Sequence, residues 1–342
     1  MCLPPPFCLT LILRCYAIAV PGKGEGDMAQ TTLPQPMTGT DPVLSGSLAM
    51  TPKRRISEMT TRGVFLLCAA LLVLIIVGIL FFIGQHGLAT FFTNKVSLPS
   101  FLFTQDWNPD DKPPTVGAAT FIVGSLEVTL LAVLISAPLS IAAALFLSEI
   151  GPRWAQNVLQ PAVELFVGIP SVVYGWVGIT VLVPFIRVHF GGLGFSILAG
   201  CIVLAIMALP TITTVATDAI KALPIGLKEA AYGLGSTRWQ TIARVLLPAA
   251  LPGLLTAVIL GIARAIGEAF AVQMVIGNTF AYPETLTDRA VTLTSIITMD
   301  MGNTVFGSTW NNALWSMAMF LLLVAFALII VIRVVSSRKA YE

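Results

Sequence analysis

One arginine stands in the middle of an apolar stretch, and its guanidinium is the group in this sequence best suited to binding an anion. Arg264 has about 14 residues on either side within the apolar stretch 249–278, so a continuous helix would place it near the middle of a membrane. An arginine at that depth costs about 2.5–3.5 kcal/mol on insertion scales, so a compensating partner is expected. Glu268 follows one helical turn later on the same face. The two residues could form a structural ion pair, or Arg264 could contact a permeating oxyanion while Glu268 holds the guanidinium.

Two further polar residues could line the same path. Glu164 precedes Gly168-Ile169-Pro170-Ser171, which should break or kink the helix that contains it. A break frees backbone N–H groups that can face an anion. Glu164 and Ser171 are therefore candidate pathway residues, and Glu164 is an alternative partner for Arg264.

Other polar residues in apolar context are expected to be structural. Glu127 is predicted to lie near the outer end of its helix, where a carboxylate can be solvated. Thr211, Thr213 and Thr214 follow Pro210 and are expected to bond backbone carbonyls rather than substrate.

The composition around these residues indicates a membrane protein. Charged residues make up 11% of the 342 residues and hydrophobic residues 56%, whereas a soluble domain has about 25% charged residues. So few charges cannot cover a soluble globule, which excludes a cytosolic enzyme, a disordered chain and a nucleic-acid-binding domain and makes membrane lipid an expected partner. The five cysteines and two histidines form no CxxC motif or Cys/His cluster, so neither a metal site nor thiol redox chemistry is expected.

These residues lie in or between six apolar segments, which predict an all-α, polytopic membrane protein with spans at 63–84, 117–147, 159–186, 193–217, 249–278 and 311–334. Lys and Arg are concentrated before span one, after spans two and four, and after span six, with 12 there against 4 in the other loops. The positive-inside rule therefore puts both termini and the loop 218–248 in the cytoplasm.

The predicted organisation has four parts. A disordered cytoplasmic leader covers 1–62, and its residues 1–27 are either the product of an upstream start codon or a short genuine tail. The first span and an external loop cover 63–116, the transport core covers 117–334, and a cytoplasmic tail covers 335–342.

The loop 218–248, called the coupling loop below, is predicted to hold two short helices around a turn. Pro224 suits the first turn of the first helix, and Gly235 suits a left-handed C-cap. Thr237 and Gln240 have the spacing of a capping box for the second helix. By composition alone this would be an amphipathic connector on the membrane surface.

The residue spacing in the coupling loop resembles the EAA loop of bacterial ABC-importer permeases. The matching positions are Glu229, Ala230, Ala231 and Gly235, followed after nine residues by Val245-Leu246-Leu247-Pro248, with Val245 where the family has Ile. The resemblance implies the type I ABC-importer permease fold, with the first four residues forming the helix that docks on an ATPase. The chain has no P-loop, so ATP and Mg²⁺ would be bound by a separate subunit, and the chain itself is not expected to be an enzyme or to hold a cofactor.

Three segments together resemble the PstC family of phosphate permease subunits: ELFVGIPSVVYGWVG (164–178), KEAAYGLGSTRW (228–239) and GIARAIGEAFAVQMVIGNT (261–279), with ALFLSEI (144–150) in addition. The ending of the third segment favours PstC over its sister PstA. Ala263 and Ala269 depart from the usual Gly and Thr of the family.

The resemblance implies ATP-driven inward transport of inorganic phosphate by alternating access, in a bacterial or archaeal plasma membrane. The implied partners are a PstA-like second permease, two PstB-like ATPase subunits and a PstS-like external phosphate-binding protein. Three alternatives stay open: the sister permease subunit, a permease for another oxyanion such as molybdate, sulfate or phosphonate, and an ion-coupled transporter that uses Glu268 or Glu127 as a proton carrier.

Overall fold

The computed structural model describes residues 52–111 and 113–337. Most of the predicted leader and tail lie outside these ranges. Contacts divide the chain between Phe65 and Leu66, and every site discussed below lies on the C-terminal side of that division.

The described part of the chain is built almost entirely from helices. They are α1 (Pro52–Phe92), α2 (Leu98–Phe103), α3 (Ala119–Leu145), α4 (Arg153–Val167), α5 (Ser171–Val177), α6 (Val183–Phe190), α7 (Ile197–Lys221), α8 (Ile225–Gly233), α9 (Arg238–Thr241), α10 (Leu247–Ile266), α11 (Phe270–Ile276), α12 (Leu293–Asp300) and α13 (Thr309–Ser337). Three π-helical segments continue or join them: Phe146–Ile150 after α3, Gly178–Leu182 between α5 and α6, and Ile242–Leu246 between α9 and α10. A small antiparallel hairpin pairs β1 (Trp107–Asn108) with β2 (Thr115–Val116).

Six helical segments of the described chain are long and apolar enough to cross a membrane, which confirms the predicted six-span, all-α architecture. They are Thr61–Phe92, Ala119–Ile150, Ser171–Phe190, Ile197–Lys221, Arg238–Ile266 and Thr309–Val331.

The third span is shorter than the sequence predicted. The predicted segment 159–186 is divided, because α4 ends at Val167 and the next helix starts at Ser171. Pro170 disfavours a helical conformation at the residue before it, so the helix stops where the Gly-Ile-Pro sequence was expected to break it.

The fifth span also differs from the prediction of one helix over 249–278. α10 ends at Ile266, and α11 begins only at Phe270. Gly267 forms the C-cap, and its N–H donates to the carbonyl of Ala263. The four-residue spacing of Arg264 and Glu268 therefore no longer places the two side chains on one face of one helix.

The packed centre of the fold consists of α3, α7 and α10. Small side chains line the α3–α7 contact, among them the fully buried Ala132 and Ala144, and small residues allow helix backbones to approach closely. Ser140 Oγ donates to the carbonyl of Leu209 at 3.1 Å. α10 packs on α7 through Gly261, where a Cβ would lie 2.5 Å from Ile212 Cγ1.

The loop between α11 and α12 closes the N-terminal end of α7. The N–H groups of Ile197 and Leu198 donate to the carbonyls of Asp288 and Leu286, both at 2.9 Å. Asp288 Oδ2 accepts the N–H groups of Thr285 and Glu284, and these bonds hold the pKa of the Asp288 carboxyl below its usual value. The loop therefore satisfies donors that the start of α7 would otherwise leave unpaired.

Candidate functional site

Arg264 lies in the last turn of α10, and not midway along a helix as the continuous span had predicted. Its side chain is half-buried. Nη1 donates to Thr211 Oγ1 on α7 at 2.8 Å, and Nη2 donates to the carbonyl of Val167 at the end of α4 at 3.4 Å. A cation is also favourable at a helix C-terminus, where the unpaired carbonyls carry partial negative charge. The guanidinium thus joins α10 to α7 and to the break between α4 and α5.

Neither predicted carboxylate partner contacts this arginine, and Arg264 forms no ion pair with any described side chain. Glu268 lies in the break after α10, where Oε1 accepts the N–H of Ala271 at 3.2 Å. Glu164 is exposed on α4 and accepts a hydrogen bond from Gln160 Nε2 at 3.3 Å. The guanidinium therefore donates its hydrogen bonds to two neutral acceptors, a hydroxyl and a backbone carbonyl.

Arg264 lies where the breaks in two of the predicted apolar segments meet. One break covers 168–170 and the other covers 267–269, and the bond from Arg264 to Val167 links them. Ser171 is the first residue of α5, directly after the first break, and is half-buried. Tyr174 Oη spans the same break by donating to the carbonyl of Phe166 at 2.9 Å.

The two helices beyond the breaks are held against each other by a glycine. A Cβ on Gly175 of α5 would lie 2.7 Å from Met274 Sδ and 3.0 Å from Ala271 Cα, both on α11. Side chains larger than hydrogen would separate α5 from α11. The glycine therefore helps to fix the distance between the two breaks.

Thr211 was expected to bond a backbone carbonyl, and the structure corrects this expectation. Thr214 does behave so, because its Oγ1 donates to the carbonyl of Pro210 at 2.9 Å. Thr211 instead accepts a hydrogen bond from Arg264. Thr213 Oγ1 is buried without a hydrogen-bond partner in the described part of the chain.

A polar surface continues beyond Glu268 and was missed by the sequence reasoning. Thr294 Oγ1 donates to the carbonyl of Glu268 at 2.7 Å, and Thr298 Oγ1 donates to Gln273 Oε1 at 2.8 Å. Both threonines belong to α12, which lies in a segment that hydropathy assigns to a polar loop. Their four-residue spacing, which places them on one face of a helix, was the available signal.

The coupling loop has the local geometry that its sequence predicts. α8 begins directly after Pro224, and Gly235 has a φ of +82°. Thr237 and Gln240 form both hydrogen bonds of a capping box. Glu229 and Ala230 are exposed, whereas Ala231 is buried at 7% exposure.

Large apolar side chains on the coupling loop are also exposed. They are Ile225, Leu227, Tyr232, Leu234 and Trp239. An apolar patch rimmed by polar groups marks a protein or membrane contact. The exposed side chains of the coupling loop are therefore available for contact with a second protein or with the membrane surface.

Comparison with known proteins gives one consistent result. Residues 136–341 match the family described as the binding-protein-dependent transport system inner membrane component. The chain is 53% identical over 287 residues to the probable ABC transporter permease protein YqgH of Bacillus subtilis, covering 84% of this chain and 93% of that protein. It is 34% identical over 259 residues to the phosphate transport system permease protein PstC of Xylella fastidiosa, covering 70% of this chain and 79% of that protein.

The fold also matches a solved structure, the crystal structure of a bacterial ABC transporter involved in the import of the acidic polysaccharide alginate. The TM-score is 0.56 at 19% identity, and the match covers 83% of this chain and 99% of that chain. This likeness concerns the fold alone.

Proposed function

The chain belongs to the family of binding-protein-dependent transport system inner membrane components, and on that premise we propose that it is a permease subunit that carries inorganic phosphate inward by alternating access. Its relatives include phosphate transport system permease proteins that share 34% identity with it over most of their length.

The observation that carries the proposal is that Arg264 is hydrogen-bonded to neutral groups. A hydroxyl and a backbone carbonyl orient the guanidinium, and among the described side chains no carboxylate pairs with it. The forked donors of a guanidinium suit the oxygens of a phosphate, and such charge-assisted bonds are stronger than neutral ones. An anion that reaches the meeting point of the two breaks would supply the missing negative charge.

The other pathway residues have roles around this contact. Ser171 would offer a hydroxyl and Glu268 would help to shape the break after α10. Glu164 is exposed on α4 and does not contact Arg264, so the anion would pass Glu164 at a different point of the pathway.

The proposed complex contains a PstA-like second permease, two PstB-like ATPase subunits and a PstS-like phosphate-binding protein on the outer face. ATP and Mg²⁺ would be bound by the ATPase subunits. The excess of Lys and Arg in the loops on one side supports a cytoplasmic location for both termini and for the coupling loop. The coupling loop would then dock on an ATPase subunit through Glu229, Ala230, Ala231 and Gly235 and the apolar side chains around them.

The substrate is tested by reconstituting the complex in vesicles and measuring ATP-dependent uptake of radiolabelled phosphate against competing molybdate, sulfate or phosphonate. We expect excess unlabelled phosphate to abolish uptake of the label, and the other anions to leave it near its starting rate. Preferential uptake of another oxyanion would contradict the phosphate assignment, and uptake without ATP would contradict the mechanism.

Docking is tested separately with Glu229→Ala, which should reduce the amount of ATPase subunit that co-purifies with the permease. Glu284→Ala is the matched control, because this exposed carboxylate lies on the loop between α11 and α12, away from the coupling loop. Equal co-purification of the ATPase with both variants would contradict the docking role of Glu229.

A further inference from the structure

Two cations of the coupling loop bind the end of the second span. Lys228 Nζ lies 2.5 Å from Glu149 Oε1. Arg238 Nη2 donates to the backbone carbonyl of Glu149 and, at 3.4 Å, to that of Ile150. Lys228 directly precedes Glu229, and Arg238 follows Gly235 by three residues, so the two cations flank the predicted docking residues on both sides.

These contacts are suited to holding the coupling loop against the end of the second span. The Glu149 side chain is 10% exposed and that of Lys228 is 28% exposed, so water screens the pair less than an ion pair on an open surface. It is the one ion pair found among the described side chains. Arg238 also satisfies carbonyls that the end of a helix leaves unpaired.

From Glu149, direct contacts lead to the candidate substrate site. Glu149 lies on the π-helical continuation of α3, and α3 packs along α7 in the buried centre of the fold. Ser140 of α3 donates to the carbonyl of Leu209 on α7, two residues before Thr211. Thr211 in turn binds Arg264. Each step of this route is a hydrogen bond or a packed contact, and α3 and α7 each run as one helix although Pro138 and Pro210 lie within them.

We propose that Glu149 is a positioning residue that fixes the coupling loop to α3, so that displacement of the loop moves α3 and α7 and changes the setting of Arg264. The inference rests on the proposed function, because it requires an ATPase subunit to displace the loop. Glu149 itself need contact neither substrate nor ATPase.

The test uses the reconstituted complex and measures two rates, phosphate uptake and ATP hydrolysis. Glu149→Gln and Lys228→Gln should each lower the phosphate transported per ATP hydrolysed by about tenfold, the size expected for loss of a charge-assisted hydrogen bond. The double variant should be no worse than either single one, because all three lack the same pair. Lys221→Gln is the matched control, since it removes a nearby positive charge that binds the neutral Gln160 instead of α3.

Reversal of the pair supplies the decisive variant. Glu149→Lys combined with Lys228→Glu should restore at least half of the wild-type ratio if the pair is what matters. The reversed pair is also informative if the single variants lose their ATPase subunits, because the reversed pair should then restore binding of those subunits. Wild-type transport per ATP in both single variants, or no recovery on reversal, would overturn the inference.

Failure of this inference and failure of the proposed function give different results. If the wild-type complex transports phosphate but the Glu149 variants transport equally well, only the inference fails. If the wild-type complex takes up no phosphate, the proposed function fails, and the ratio is then measured with whichever anion it does take up.

Discussion

Replacing Thr211 by valine removes the acceptor for Arg264 Nη1 and keeps the branched shape of the side chain. The lost bond is 2.8 Å long and has a charged donor, and such bonds contribute about 1.5–3 kcal/mol. Because Arg264 is only half-buried, water can replace part of this interaction, so the lower end of the range applies. At 1.36 kcal/mol per factor of ten, kcat/KM for phosphate uptake should fall about tenfold.

The assay is the initial rate of radiolabelled phosphate uptake over a range of phosphate concentrations, with the amount of assembled complex measured in parallel. Thr211→Ser retains the acceptor and should stay close to wild type. Thr214→Val is the matched control, because it makes the same substitution three residues away and removes only a bond to the carbonyl of Pro210. Full uptake by Thr211→Val, or equal losses in Thr211→Val and Thr214→Val, would refute the role of Thr211 as the hydroxyl that orients Arg264.

Four other substitutions test the coupling loop and the framework of the site. Gly235→Ala should destabilise the coupling loop by about 1–2 kcal/mol because of its positive φ. Gly226→Ala, with open space around it, should stabilise α8 by up to about 1 kcal/mol; amide exchange in α8 measures both. Gly175→Val should lower thermal stability by about 1–3 kcal/mol, since its Cβ would overlap α11, and an unchanged unfolding temperature would contradict this packing. Asp288→Asn should speed exchange of the Ile197 amide at pH 7. The lowered pKa of Asp288 means that its contribution is present above the unfolded value of about 3.9 and lost as pH falls through the folded value, so the difference from wild type should vanish in acid.

The local features of the coupling loop could be predicted from sequence because they depend on neighbouring residues. A positive φ at Gly235 and a capping box from Thr237 to Gln240 are set by the backbone within a few residues. The number of spans was also predictable, since membrane thickness imposes a length on apolar segments. The break in the third span was predictable because Pro170 marks it.

The break in the fifth span was missed because hydropathy reports apolar character and not helix ends. Gly267 was its sole local signal, and a single glycine is tolerated within many helices. Arg264 was therefore assigned to the middle of a helix, with Glu268 or Glu164 as its expected partner.

The true contacts of Arg264 could not be predicted from sequence. Thr211 is 53 residues away in sequence and Val167 is 97 residues away, so tertiary packing alone brings them together. The need for a compensating partner pointed to carboxylates, but a hydroxyl and a backbone carbonyl also satisfy guanidinium donors. Polar residues of α12 were missed for a related reason, because a segment with few apolar residues was assumed to be a loop.

Phosphate uptake by Arg264→Gln in the reconstituted complex, measured together with ATP hydrolysis, tests whether Arg264 contacts the transported anion. Glutamine keeps a hydrogen-bond donor toward Thr211 but removes the positive charge that is proposed to bind the anion. We predict an assembled complex that hydrolyses ATP and transports phosphate at least about tenfold more slowly than wild type. Wild-type uptake by this variant would contradict the claim that Arg264 contacts the transported anion.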